Sequence, residues 1–352
     1  MCLLQAHAAS VNMVIGSSVD ATGFTPFPTA FTILCPVGGG ANCPETFHPS
    51  FTDPDRFWGE DGATNCVTST DGGDNWVQCA AAPFAGVALR VGSSTNGNVV
   101  AAASVAGTCT IRYSTDNAAS WTTAFTDANA CNMAAGSSQL MICQATSGQC
   151  DYVFVQANTR TRTYRSTDNG VTWTQSNVAN INLANAFSLY FDGTNGVSAP
   201  TSGANGRVVP TTTNGTWTIS SGWPVATANY ACSGSSYYLD VGLCIFCFDA
   251  FNSNYKQIST AGAIYKTFIP TGAFVSGSPT LTALEWSSNI SYLVGVNTSG
   301  NQAFWVSTDN LSSTILLDTV AATAGAATMF KHNGAIYIST AGTTGAFYRI
   351  SI

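Results

Sequence analysis

The sequence predicts an all-β protein, a β-propeller of seven four-stranded antiparallel blades, from three observations. A tryptophan-containing octet recurs, reading STDGGDNW from Ser69, STDNAASW from Ser114 and STDNGVTW from Ser166. Weaker relatives of the octet begin at Thr211, Ser259 and Ser307. Short strand-like segments fill the intervals, and no helix-length periodicity interrupts them. The resulting period of roughly 45 to 50 residues indicates one repeated supersecondary unit.

The unit around Ser307 shows the strands most clearly, as LTALEWSSN, ISYLVGVNTSG, QAFWVST and STILLD. The C-terminal segments AATMFKHNG, AIYIST and GAFYRISI supply only three strands. We therefore expect the N-terminal strand SVNMVIGSS, residues Ser10–Ser18, to close the last blade and remove its exposed edge. We assign residues 1–352 to a single propeller domain. Six or eight blades remain alternatives, because residues 19–66, expected in the first blade, are irregular and rich in Pro and Gly.

Composition excludes several classes of function. Charged residues make up 8% of the chain, about a third of the usual share. The net charge is −7 and no basic block exists, so we expect no nucleic-acid partner. No run of about 18 apolar residues occurs, so we expect no membrane insertion. The uncharged polar surface resembles that of secreted adhesins and virion proteins, and we expect an extracellular location, secreted or on a virion surface.

Twelve cysteines favour an oxidising compartment. The hairpin implied by the first octet is centred between residues 72 and 73, which places Cys66 opposite Cys79. We therefore predict a cross-strand disulfide there. Cys35 with Cys43 and Cys143 with Cys150 are two further candidates; buried thiols are the alternative for all of these cysteines.

The octet Ser-x-Asp-x-Gly-x-x-Trp, spaced along a propeller, resembles the Asp-box (BNR) repeat of sialidases, sortilin-type receptors, xyloglucanases and photosystem assembly propellers. The match is complete at Ser69 and Ser166, whereas Ala118 replaces glycine in the second octet. The resemblance implies a turn between the last two strands of a blade, away from the usual binding face. It gives structural roles to Ser69, Asp71, Gly73 and Trp76, to Ser114, Asp116 and Trp121, and to Ser166, Asp168, Gly170 and Trp173.

The physical chemistry of the octet agrees with a structural role. An aspartate at the head of a tight turn accepts hydrogen bonds from backbone amides just downstream. Glycine supplies a positive φ that other residues resist. The tryptophan offers a large apolar surface to the space between blades. We therefore expect the octet to fasten the fold rather than to catalyse a reaction.

A catalytic role is not favoured by the remaining residues. By resemblance, a sialidase needs an arginine triad, a Tyr–Glu pair and an acid/base aspartate. The chain has three glutamates, Glu45, Glu60 and Glu285, and only Arg349 follows the last of them, so the family order of two late arginines is not met. The lone CIFC segment has no second pair at zinc spacing, so we predict no metal site there.

The densest charged segment is FTDPDRFWGEDG, residues 51–62. Its carboxylates and aromatic rings suit sugar or protein recognition. Its spacing does not match an EF-hand, because Phe57 stands at the fifth position, although an irregular Ca²⁺ site is an alternative and a solvated loop is another. Candidate ligand-binding residues are Asp53, Asp55, Arg56, Trp58, Glu60 and Asp61.

Together these observations predict a non-catalytic module for surface attachment, binding a glycan or a protein receptor. A sialidase-like glycoside hydrolase is one alternative. A structural subunit of a larger assembly, contacting other copies or virion subunits, is another.

Overall fold

The computed structural model describes 21 separate stretches of the chain. These are residues 30–35, 43–61, 64–94, 96–128, 140–142, 152–156, 161–166, 168–178, 187–191, 196–200, 230–232, 244–249, 254–259, 264–268, 282–287, 290–296, 299, 301–309, 312–320, 327–340 and 347–351. These stretches contain 26 β-strands and no helix. Accordingly, no helix long and apolar enough to cross a membrane is found in them. The described part of the protein is therefore all-β.

The strands of the first half are β1 (Ala30–Cys35), β2 (Thr46–Pro49), β3 (Phe57–Glu60), β4 (Cys66–Ser69), β5 (Val77–Gln78), β6 (Leu89–Ser93), β7 (Val99–Val105), β8 (Thr108–Ser114), β9 (Thr122–Asp127), β10 (Leu140–Ile142), β11 (Tyr152–Gln156), β12 (Thr161–Ser166) and β13 (Thr174–Val178). Those of the second half are β14 (Phe187–Phe191), β15 (Gly196–Pro200), β16 (Tyr230–Cys232), β17 (Cys244–Asp249), β18 (Asn254–Ser259), β19 (Ile264–Phe268), β20 (Thr282–Ser287), β21 (Ile290–Val296), β22 (Gln302–Ser307), β23 (Ile315–Val320), β24 (Ala327–His332), β25 (Ala335–Thr340) and β26 (Phe347–Ser351).

Consecutive strands pair into small antiparallel sheets. The first sheet is β2–β5, the second is β6–β9 and the third is β10–β13. Strands β16–β19 and β20–β23 form two more four-stranded sheets, and β14 pairs with β15. Within each of these five four-stranded sheets the spatial order of the strands equals their order in the chain.

The remaining sheet is composite, because it combines β24, β25 and β26 with β1 from the other end of the described chain. β1 runs antiparallel to β26, with Ala30 opposite Ser351 and Ile33 opposite Tyr348. The strand beside β26 is thus Ala30–Cys35 and not the predicted Ser10–Ser18, which lies outside the described residues. Residues 19–66, expected to be irregular, contribute β1, β2, β3 and the start of β4.

Neighbouring sheets contact each other mainly through the first strand of each. Strand β6 contacts β2 and β3 on one side and β10 on the other, β20 contacts β24, and β24 contacts β2. Successive side chains of β3 point to opposite faces of the first sheet, so the strand contributes to the interfaces with both neighbouring sheets. Phe57 faces the composite sheet, 4.6 Å between ring centroids from Tyr337. Trp58 packs in the apolar cluster shared with Leu89 and Val91 of β6.

The connections between strands lie at the two opposite ends of each sheet. In an antiparallel sheet the first and third connections lie at one end of the strands, and the second lies at the other end. We call the end that holds the β2–β3 and β4–β5 connections, with their equivalents in the other sheets, the turn face. The repeated octets occupy the β4–β5, β8–β9 and β12–β13 connections, so they all lie on the turn face.

Candidate functional site on the turn face and in the first sheet

The repeated turn is a closed network of hydrogen bonds, shown here at Ser114. The Ser114 hydroxyl donates to Asp116 Oδ1 at 2.7 Å and accepts the Ala118 amide at 2.9 Å. Asp116 Oδ1 accepts the Ser120 amide at 2.9 Å. The same serine-to-aspartate bond recurs in the turns of Ser69 with Asp71, Ser166 with Asp168 and Ser307 with Asp309. The side chains thus satisfy backbone amides that the tight turn would otherwise leave unpaired.

This network keeps its aspartate ionised. Hydrogen bonds from the Ser120 hydroxyl, the Ser114 hydroxyl and the Ser120 amide lower the pKa of Asp116 to about 2. An aspartate with so low a pKa accepts hydrogen bonds at neutral pH and holds no proton to donate.

The fifth residue of each octet adopts a left-handed backbone. φ is +89° at Gly73, +62° at Ala118 and +83° at Gly170. Alanine therefore takes the same conformation as glycine in the second turn, at the cost of a conformation that L-residues disfavour. In the fourth turn the serine-to-aspartate bond survives without the tryptophan, whose position is taken by the buried Thr314.

Two of these turns contact the preceding sheet. In the first turn, the Trp76 ring lies edge-on to Phe347 of the composite sheet, 5.2 Å between centroids, and Asp74 pairs with Arg349 at 3.4 Å. In the third turn, the Asn169 carbonyl accepts a hydrogen bond from Asn98 Nδ2 of the second sheet at 3.1 Å.

The second turn contacts the segment that follows the first sheet. The Trp121 indole donates to the Ala81 carbonyl at 2.9 Å, and the Ala81 amide donates to the Ala118 carbonyl at 2.9 Å. In the other two octets the indole instead bonds within its own turn, Trp76 to the Gly73 carbonyl and Trp173 to the Gly170 carbonyl.

The candidate ligand-binding segment, residues 51–62, divides into three parts. Its first part is the β2–β3 loop on the turn face, where Phe51 is 43% exposed. Asp53 accepts a hydrogen bond from the Asp55 amide at 3.2 Å and pairs with Arg56 at 3.2 Å. The Arg56 guanidinium also lies 5.4 Å from the centre of the Trp58 ring. Asp53 and Arg56 thus form an ion pair within the loop.

Two further contacts fix this loop from outside. The Gly72 amide of the first turn donates to the Asp55 carbonyl at 2.8 Å. His332 Nε2, from the composite sheet, lies 2.7 Å from the Pro54 carbonyl. The loop is thus anchored to its own sheet and to the composite sheet, while Phe51 and Asp55 are exposed and Asp53 is partly exposed.

The second part of the segment is β3 itself, whose side chains are buried. Trp58 is 1% exposed and Glu60 is 3% exposed. Glu60 Oε1 pairs with Arg90 Nη1 of the second sheet at 3.0 Å and also accepts the Thr46 hydroxyl. Glu60 Oε2 accepts the Val91 amide at 3.2 Å. In this arrangement neither Trp58 nor Glu60 offers a surface to a ligand, and Glu60 connects two sheets instead.

The third part is Asp61, which follows β3 and lies at the end of the sheet opposite to the turn face. Its Oδ1 accepts the Asn65 amide at 3.1 Å, and its Oδ2 accepts Asn65 Nδ2 at 2.6 Å. The six candidate residues therefore do not converge on one site, and the three that lie together on the turn face are Asp53, Asp55 and Arg56.

Burial dominates the electrostatics around Glu60. It raises the pKa of Glu60, and the attraction of Arg90 opposes that rise. Burial, and then the repulsion of Arg90, lower the pKa of His48 to about 3. His48 is thus neutral across the physiological range, and Arg90 has Glu60 as its carboxylate partner.

The predicted Cys66–Cys79 disulfide is present, with 5.4 Å between the two Cα atoms. Both residues are buried, and Cys79 also donates its amide to the Cys66 carbonyl at 2.9 Å. Cys43 is disulfide-bonded as well, as is Cys109, which the sequence did not single out. The side chain of Cys35 and the whole of Cys143 and Cys150 lie outside the described residues.

The described residues that carry charge are mostly engaged within the chain. Arg56, Arg90 and Arg349 each pair with a carboxylate. Arg112 donates to the Pro83 carbonyl and lies 4.9 Å from the Phe84 ring centre. In the part of the chain with known placement, no group of three His, Cys, Asp or Glu side chains could hold a metal ion.

Comparison with known proteins shows the fold. No protein-family model and no curated protein matches the chain. Among solved structures, YCF48 bound to a D1 peptide is similar over 94% of this chain and 98% of its own, with a TM-score of 0.61 and 14% identity. The Dos1 propeller is similar over 87% and 78%, with a TM-score of 0.52 and 12% identity.

A GH74 xyloglucanase from Xanthomonas campestris is also similar, over 89% of this chain and 54% of its own, with a TM-score of 0.53 and 12% identity. At such identities the similarity is one of fold. The chain is an all-β protein with a β-propeller fold.

Proposed function

We propose that the protein is a non-catalytic recognition module that binds a partner protein or glycan through the β2–β3 loop, residues 50–56. This loop lies on the turn face with the octets, and not on the opposite face, which the Asp-box resemblance implies for binding. The observation that carries this proposal is the anchoring of that loop. Gly72 and His332 hold its backbone from two sheets, while the large side chain of Phe51 stays 43% exposed. A fixed loop loses little entropy on binding, so an exposed aromatic ring on it is a favourable contact point.

We further propose that the fold is a closed ring of seven blades of the Asp-box type. Seven sheets, one of them composite, support this count. The four serine–aspartate turns, and the contacts of the first and third turns with the preceding sheets, support a role for the octets as fasteners between blades. The contacts of the first turn and of β2 with the composite sheet support closure of the ring.

The partner class follows from the chemistry of the loop. Phe51 offers an apolar face, and Asp53 and Asp55 accept hydrogen bonds, a combination that suits sugar hydroxyls as well as peptide amides. One solved propeller of similar fold is described with a bound peptide, which is consistent with a protein partner. The disulfide Cys66–Cys79 supports an extracellular location.

A direct test measures binding and turnover with the same purified protein. The protein is applied to a glycan array and to a peptide library, and dissociation constants are measured for any ligand found. We expect Phe51→Ser to weaken binding at least about tenfold, which is the loss of one buried aromatic contact. Leu316→Ser, which changes an apolar side chain on β23 that is 53% exposed, is the matched control and should leave binding unchanged.

Two outcomes would reject the proposal. One is a set of ligands whose affinity does not change in Phe51→Ser. The other is hydrolysis of a fluorogenic sialoside or of xyloglucan by the purified protein, which would favour the glycoside hydrolase alternative. Self-association without ligand binding would favour the structural-subunit alternative.

A further inference from the structure

The segment between the first and second sheets is bonded to both of them in different ways. We call residues 79–84, which follow β5, the strap. At its start Cys79 is joined covalently to Cys66 of β4. Beyond Cys79, the bonds of the strap go to the second sheet. The strap therefore links the end of β5 in the first sheet to the second sheet.

The bonds to the second sheet involve both the backbone and a ring. The Ala81 amide donates to the Ala118 carbonyl, and the Ala81 carbonyl accepts the Trp121 indole, each at 2.9 Å. The Pro83 carbonyl accepts Arg112 Nη1 of β8, whose guanidinium also lies against the buried Phe84 ring. These contacts connect the strap to the second octet and to the strand before it.

Without the disulfide, few hydrogen bonds connect the start of the strap to the first sheet. Strand β5 has two residues, paired as Val77 with Thr68 and Gln78 with Val67, and the Cys79 amide adds one bond to the Cys66 carbonyl at 2.9 Å. So short an edge strand has few hydrogen bonds to hold it, and such edges open before the rest of a sheet. The Cys66–Cys79 bond closes this hairpin directly at the point where the strap begins.

We propose that the Cys66–Cys79 disulfide is a redox-sensitive clamp that holds the strap, and with it the second octet, in its place against the first sheet. Reduction by a dithiol transfers two electrons and two protons, breaks the S–S bond to give two thiols and leaves the reductant as its own disulfide. The reduced hairpin then lacks its covalent closure, and the strap opens locally. This inference does not depend on the proposed recognition function.

The clamp makes a reciprocal prediction, because coupling between two sites acts equally in both directions. If oxidation stabilises the docking of the strap, weaker docking must make the disulfide easier to reduce. Both cysteines are buried, so reduction needs the hairpin to open first, and its rate follows the equilibrium population of the open hairpin. Trp121→Phe removes the indole donor to Ala81 and keeps an aromatic ring. Trp173→Phe is the matched control, since its indole makes the corresponding bond within the third turn, in a sheet other than the two that the strap links.

The experiment treats the three oxidised, folded proteins with dithiothreitol under native conditions. Alkylation followed by mass spectrometry gives the rate at which Cys66 and Cys79 become free. We expect Trp121→Phe to be reduced about fivefold faster than wild type, the effect of one net hydrogen bond. Trp173→Phe should be reduced at the wild-type rate. Equal rates in the two variants would overturn the proposal.

A second measurement uses the wild-type protein after reduction, and so does not depend on a variant that folds. Hydrogen exchange at the Ala81 amide should become at least about tenfold faster once Cys66 and Cys79 are free. Exchange at the Gly72 amide, which is bonded to the Asp55 carbonyl, should stay unchanged. No change at Ala81, or an equal loss of protection at Gly72, would show that the bond does not act as a local clamp.

Discussion

Glu60 on β3 and Arg90 on β6 form an ion pair that joins the first and second sheets, with 3.0 Å between Glu60 Oε1 and Arg90 Nη1. Both side chains are almost fully buried. The Thr46 hydroxyl and the Val91 amide occupy further acceptor positions on the carboxylate. The pair therefore sets the relative position of two neighbouring sheets through one carboxylate.

Arg90→Met should be strongly destabilising, because it leaves the Glu60 carboxylate buried without its counter-charge. We expect the free energy of unfolding in urea to fall by about 3–5 kcal/mol. Arg56→Met is the matched control, since Arg56 pairs with a partly exposed aspartate, and it should cost about 1 kcal/mol or less. Similar losses in the two variants would show that the Glu60–Arg90 pair does not join the sheets as described.

The buried His48 should make the protein less stable in acid. Its pKa falls from an ordinary value of 6.5 to about 3 on folding. Below pH 6.5 the unfolded chain therefore binds a proton that the folded chain does not, and the free energy of unfolding decreases as the pH falls toward 3. One such group contributes a slope of up to about 1.4 kcal/mol per pH unit.

His48→Gln isolates this contribution from that of Glu60, whose raised pKa acts in the opposite direction. Urea unfolding at pH 7, 6, 5 and 4 gives the stability of both proteins. The advantage of wild type over His48→Gln should shrink steadily as the pH falls. A constant difference across the series would mean that His48 does not titrate on unfolding.

Ser114→Ala tests the network of the repeated turn. The buried Ser114 hydroxyl donates to Asp116 and accepts the buried Ala118 amide, so its removal leaves both groups without that partner. We expect a loss of about 1–3 kcal/mol in the free energy of unfolding. Thr115→Ala changes the exposed neighbour in the same turn and should cost within about 0.5 kcal/mol. A larger effect at Thr115 would contradict a fastening role for the serine.

Gly73→Ala tests the contact between the first turn and the composite sheet. A Cβ at Gly73 would lie 2.5 Å from Phe347 Cε1 and 3.3 Å from Leu34 Cδ1. Gly107 has a similar φ, +81° against +89°, but no atom within 4 Å of the added Cβ. Both substitutions thus carry the same backbone penalty, and only Gly73→Ala adds a clash.

We expect Gly73→Ala to lower the unfolding free energy by about 1–3 kcal/mol more than Gly107→Ala. Thermal and urea unfolding of the two variants give the difference. If the two losses were equal, the first turn would not be packed against Phe347.

The sequence predicted the local parts of this structure well. The Cys66–Cys79 bond followed from the symmetry of a single hairpin, because turn residues fix which positions lie opposite each other. The propeller fold followed from a period that each unit repeats. Both inferences use residues close together in the chain, where geometry leaves few alternatives.

The sequence did not predict the roles of Trp58 and Glu60. Their neighbours Asp53, Asp55, Arg56 and Asp61 make the segment read as one charged loop. Alternation within four strand residues, too short a pattern to recognise, buries both side chains on one face. The partner of Glu60 is Arg90, thirty residues away in another sheet. No local sequence pattern predicts a contact between two residues so far apart in the chain.

The composite sheet has a consequence for synthesis on the ribosome. Cys35 pairs with Phe347, so β1 emerges more than 300 residues before its partner strand. At typical elongation rates the nascent chain carries β1 unpaired for about 15 to 60 s. During that interval the backbone N–H and C=O groups of β1 are free to pair with other chains. β1 can then pair either with β26 of its own chain or with a strand of a neighbouring nascent chain. Chaperones and the crowding of polysomes affect which of the two pairings forms.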